Sequence, residues 1–171
     1  FREFALDLPV DYIAVPESEN WRDLAVYLVD FAGLGEYAIS DAHRFMLLSL
    51  MMGVRSPDTD GHSVFDLVSL RKLHSDPDDE GQYAHALRGL GDDGWDGNVA
   101  VHEGVRKVIW DRMESANLLI RKAPIEQNTL GTIYLDFYGR ITVPVYGQAF
   151  YLCQAAHALQ DSFAHTLRSA D

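Results

Sequence analysis

At 171 residues, 47% of them hydrophobic and 23% charged, the chain is long enough to bury one core and too apolar to stay disordered. Its 26 acidic residues against 14 basic ones leave a formal net charge of -12, which excludes a broad basic surface and with it a stable DNA-binding face. Cys153 is the single cysteine, so an internal disulfide and a cysteine-rich zinc module are both excluded, and any metal must be held by histidine and carboxylate.

No stretch approaches the ~20 apolar residues of a membrane span, so no transmembrane segment is expected. The start, Phe1-Arg2-Glu3-Phe4, lacks the basic-then-apolar pattern of a signal peptide. Without an initiating Met, the chain reads as a processed product or a piece of something longer. One domain is expected over residues 1–171, cut short at its C-terminal end.

Residues 1–20, with Pro9 and Pro16, read as an extended lead-in. Trp21, Leu24, Ala25, Leu28 and Phe31 then form a helical stripe closed by Gly33 and Gly35. Ser40 is placed to cap a second helix, Asp41 to Met52, which the pattern ends at Gly53; His43 falls in its first turn. From Arg55 to His62 turn formers dominate, predicting a loop that projects Asp58 and Asp60. Val64 to Leu73 reads as a short helix or an irregular apolar segment. An acidic loop follows at Asp76 to Glu80, then a weaker helix through Leu87 and a loop from Gly91 to Gly94. Val101, Val105, Val108, Ile109, Met113 and Leu119 recur at helical spacing and predict a long amphipathic helix from Asn98 to Arg121. Thr132 to Tyr138 and Ile141 to Val143 flank Gly139 and predict a small β-hairpin. A last helix is expected from Gln148 to Arg168. The fold class that follows is mainly α, a multi-helix bundle with a small hairpin insertion.

The chemistry gathers on that last helix. His157, Asp161 and His165 recur every four residues and make one polar stripe on an otherwise apolar helix. Imidazole nitrogens and carboxylate oxygens suit zinc, and Asp161 offers two oxygens with which to bridge two ions. A solvated face with two surface histidines is the plainer alternative. Ala155, Ala156, Ala158 and Phe163 argue for close packing around the stripe instead. Cys153, in the apolar run Phe150-Tyr151-Leu152-Cys153, reads as a buried hydrophobe without chemistry.

The run from Ala149-Phe150-Tyr151-Leu152 through His157 and Asp161 resembles the zinc-binding helix of the zinc-dependent phospholipase C and single-strand nuclease superfamily. Three upstream segments are similar to it as well: His43 at the head of an apolar helix, Gly53 to Asp58 with Asp58 or Asp60 as the early aspartate, and His74 before an acidic loop. The resemblance implies a phospholipase C-like helical bundle holding two or three Zn2+ ions. One ion would use Asp58 or Asp60, His74, His157 and Asp161. A second would use His43 and share Asp161. A third would begin with His165 and be completed by a second chain or a missing C-terminal segment. His62, His85 and His102 match no ligand of the family and read as turn or surface residues.

Hydrolysis of a phosphodiester, phospholipid among the substrates, by metal-activated water is the activity that the resemblance implies, with Asp58 or Asp60 orienting the water. It also implies a secreted or periplasmic protein. The rival reading is a non-catalytic, metal-stabilised helical module of a larger or multi-chain protein. A helical interaction domain without metal is the third.

Overall fold

The computed structural model describes residues 10–75, 81–88, 94–135 and 138–165. In chain order these form α1 (Asn20–Phe31), α2 (Asp41–Thr59), α3 (Leu67–Ser75), α4 (Gly81–Ala84), α5 (Gly94–Ile120), β1 (Asn128–Leu135), β2 (Gly139–Tyr146) and α6 (Gly147–His165), with short 3-10 turns at Gly35–Tyr37 and Pro124–Gln127. The architecture is mainly helical with one two-stranded antiparallel hairpin. The acidic loop expected at Asp76 to Glu80 and the glycine-rich one from Gly91 lie outside the described residues up to Gly94, as do Asp136, Phe137 and the helix expected beyond His165.

Helix α1 buries Trp21, Leu24, Ala25 and Leu28 of the expected stripe, together with Val29, while Phe31 at its end is exposed. It closes with paired hydrogen bonds, the Leu34 amide to the Val29 carbonyl at 2.8 Å and the Gly33 amide to Asp30 at 2.9 Å. Ser40 caps α2 by accepting the His43 amide at 3.2 Å.

Helix α2 does not stop at Gly53. It runs on to Thr59 and takes in most of the segment whose turn formers predicted a loop. Gly53 serves close packing: a Cβ there would lie 2.4 Å from the Phe150 carbonyl oxygen and 2.8 Å from the Cys153 Cβ on α6. Pro57 cannot donate to the Gly53 carbonyl, and the Ser56 hydroxyl donates to it instead at 3.2 Å. The chain finally leaves the helix at Asp60, in the left-handed region at φ 42°.

Strands β1 and β2 pair from Asn128 opposite Tyr146 to Leu135 opposite Gly139, a longer ribbon than residues 132–143. Ile133, Val143 and Val145 turn inward and join Trp21, Phe45, Leu48, Met52 and Phe150 in the main core. Each such side chain contributes roughly 1.5–3 kcal/mol on burial. Ser49, fully buried, pins the hairpin to α2: its hydroxyl donates to the Phe45 carbonyl at 2.6 Å and accepts the Tyr146 amide at 2.8 Å. Helix α6 starts beside the end of α5, with Gly147 against Leu119, and packs back along it. A smaller cluster of Ala86, Val101 and Val105 seats the segment after α4 on α5. Among the described residues, no helix is long and apolar enough to cross a membrane.

Candidate metal centre

These packings bring the ends of α2, α3 and α4 to the middle of α6. Asp58 comes from the last turn of α2, His157 and Asp161 from successive turns of α6. His85 follows α4 directly, in a turn closed by the Leu87 amide on the Gln82 carbonyl at 2.9 Å and by the Ala86 amide on Tyr83 at 3.2 Å. That closure places Ala86 at φ 51°, where glycine is the usual occupant, and buries its methyl in the small cluster on α5.

One ligand atom each from Asp58, His85 and His157 lies within 4.8 Å of the others, a group that can hold a metal ion. His85 Nδ1 is 3.3 Å from His157 Nε2, and the Asp58 carboxylate is 3.8 Å from the first and 3.6 Å from the second. Asp161 touches both rings, at 3.2 Å from His85 Nδ1 and 3.3 Å from His157 Nε2. His85 and His157 are buried and Asp58 is exposed, so the group opens to solvent on the side of Asp58.

Protonation decides what this group wants. His85 Nε2 lies 3.0 Å from the Pro57 carbonyl, which can only accept, so Nε2 carries the hydrogen. Burial, and then the neighbouring His74, hold the His85 pKa below its ordinary value, against the opposing pull of the Pro57 carbonyl and Asp161. The ring is therefore neutral near pH 7, with its bare lone pair on Nδ1 facing two carboxylates and another imidazole. With the His157 hydrogen on Nδ1, its Nε2 adds a further lone pair, and lone pairs so crowded repel unless a cation lies among them. The donor set that lies together, two imidazole nitrogens and the Asp58 carboxylate, fits a divalent ion.

Not every residue singled out in the sequence meets here. His74 reaches the centre by stacking on His85, ring centroids 4.1 Å apart, while its Nδ1 donates to the Leu70 carbonyl at 2.6 Å. Asp60, capping α2, lines a neighbouring cavity of about 610 Å3. His43 stands at the far end of α2 from Asp58, about 22 Å along the axis at ~1.5 Å per residue, and pairs with the Ser40 hydroxyl at 2.7 Å. The structure does not bring His43 to Asp161, and a second ion shared by the two has no support in this placement. His165 closes α6, and its side chain lies outside the described residues.

His85 requires a correction. Read from sequence as a turn or surface residue, it is 3% exposed and sits between His157 and His74. His62 does lie just past the end of α2, 3.5 Å from Asp66, and His102 is exposed on α5. Cys153 is partly buried, and burial pushes its thiol pKa up, away from reactivity. No protein-family profile, curated protein or solved structure matches the chain.

Proposed function

We propose that the chain is a zinc-dependent hydrolase of phosphodiesters, similar in chemistry to the phospholipases C. The observation that carries this reading is the convergence of Asp58, His85 and His157 from three separate segments onto one point, with Asp161 against both imidazoles. Ligands of a four-coordinate zinc, at bonds of ~2.0–2.1 Å, lie ~3.3 Å apart. The contacts of 3.3–3.8 Å among these three side chains sit at or just above that spacing.

Zinc bound there supplies a Lewis acid for the phosphoryl group and brings a water pKa down toward ~7. The chain's own residues do the rest. The Pro57 carbonyl fixes the His85 tautomer and keeps Nδ1 unprotonated. Asp161, resting on both imidazoles, holds their planes. Asp58, which is half exposed, or Asp60, on the wall of the neighbouring cavity, orients the attacking water.

The cavity beside the centre is where a substrate would sit. Its walls include Ser56, Pro57 and Asp60 from the end of α2, Phe150 and Gln154 from the ligand-bearing face of α6, and Arg112 from α5. Arg112 is the basic residue among the described lining, beside the carboxylates of Asp60 and Asp111, and a guanidinium pairs with two phosphoryl oxygens at once. Arg112→Ala is expected to raise KM for a phosphodiester about tenfold with kcat little changed, the mark of lost ground-state binding.

Turnover of a chromogenic choline phosphodiester by the purified chain, with and without chelator, tests the proposal. Activity that chelator removes and zinc restores supports it. Zinc retained without turnover would assign the centre to folding, as in a metal-stabilised module.

A further inference from the structure

Helix α6 carries a second stripe, on the side away from its ligands. Leu152, Ala156, Leu159 and Phe163 recur at spacings of four and three and are all exposed, Phe163 by 69%. Beside them α5 exposes Trp110 by 61% and Ile120 by 59%, with Met113 between. Trp110, Met113, Ile120 and Leu152 line one groove of about 690 Å3 between the two helices. Val99 and Trp95 extend the same side of α5 toward its start, where α6 ends. Contiguous apolar surface of this kind marks an interaction site, whereas scattered exposed apolar residues do not.

Two observations identify the occupant. Taking each aromatic at 150–250 Å2 and the aliphatics somewhat lower, the exposed parts of these side chains come to roughly 800 Å2, what one partner contributes to a standard interface. The second is charge. Arg106 and Glu114 stand one helical turn before and after Trp110 on the same face of α5, and neither has an ion-pair partner among the described residues. The pair is complementary to itself turned end for end.

We propose that this face docks a second copy of the chain, with the two α5 helices antiparallel about a two-fold axis through Trp110. The axis sets Arg106 of each copy against Glu114 of the other, as an isologous contact requires. The apolar stripes of α6 then close over the flanks, in a four-helix arrangement. The metal-binding side of α6 faces away, so the dimer forms with or without metal, and its test is separate from that of the hydrolase.

Sedimentation equilibrium of the purified chain, repeated with chelator, reads the association directly. Twice the chain mass is expected at micromolar concentration in both conditions. Arg106→Glu and Glu114→Arg should each weaken the dimer at least about tenfold, and the double exchange should restore it. Trp110→Glu should give a monomer of unchanged helicity, since that ring is mostly outside the core. A wild-type monomer at about 100 μM, or a dimer indifferent to these changes, would overturn the proposal. So would a monomer that floats with phosphatidylcholine vesicles through this face, which would assign it to lipid.

Discussion

His85 owes its character to an atom on the far side of its ring. The Pro57 carbonyl takes the Nε2 hydrogen, and the lone pair left on Nδ1 meets Asp58, Asp161 and His157. In metal-free protein this buried, neutral imidazole binds fewer protons than the same residue in the unfolded chain. The sign follows: stability falls as pH drops below about 6.5, where the unfolded histidine takes up its proton. Denaturant midpoints of chelated protein should decline from pH 7 to pH 5, and His85→Gln should flatten that decline. An unchanged slope would show that His85 is not the group responsible. His157 and Asp161 stood out in the sequence as a polar stripe on an apolar helix, and the resemblance left Asp58 and Asp60 both open as the early aspartate. His85 did not stand out, because α4 has four residues, too few to show a period. Its closing position is held by Ala86, where a glycine would have announced the turn.

At the scale of elements, the crossing of α2 and α6 at Gly53 sets the spacing between Asp58 and His157. Gly53→Ala pushes a methyl into the Phe150 carbonyl and the Cys153 side chain. A cost of about 1–3 kcal/mol in urea denaturation is expected, together with weaker zinc binding in a competition titration. Retention of both would mean that the helices yield without moving the ligands. Ser49→Ala leaves the buried Tyr146 amide without its acceptor and should cost about 1–3 kcal/mol, read from the same denaturation curves. The sequence showed α1, α5, α6 and the hairpin through their apolar periods. It misplaced the end of α2 because Gly53 and Pro57 are stop signals in local terms. What carries the helix past them is tertiary: the close approach of α6 and the Ser56 hydroxyl that replaces the missing donor.

Across the whole molecule the two proposals fall on opposite sides of one helix. Helix α6 lies with its ligand stripe toward α2 and the α4 turn, and its second apolar stripe toward solvent beside α5. A mainly helical architecture with one hairpin was readable from periodicity alone. The meeting of His85 with Asp58 and His157 was not, since it depends on how short helices pack on long ones. A net charge of -12 leaves no broad positive surface, so under the proposed hydrolase reading phosphate recognition would fall to metal and to single basic residues such as Arg112. Zinc content per chain, measured by elemental analysis after dialysis on the wild type and on His85→Ala and His157→Ala, bears most directly on the metal centre. At least one zinc per chain is expected in the wild type, with little in either variant while helicity by circular dichroism is retained. A wild type that holds no zinc, or a His85→Ala protein that holds as much as the wild type, would contradict the account.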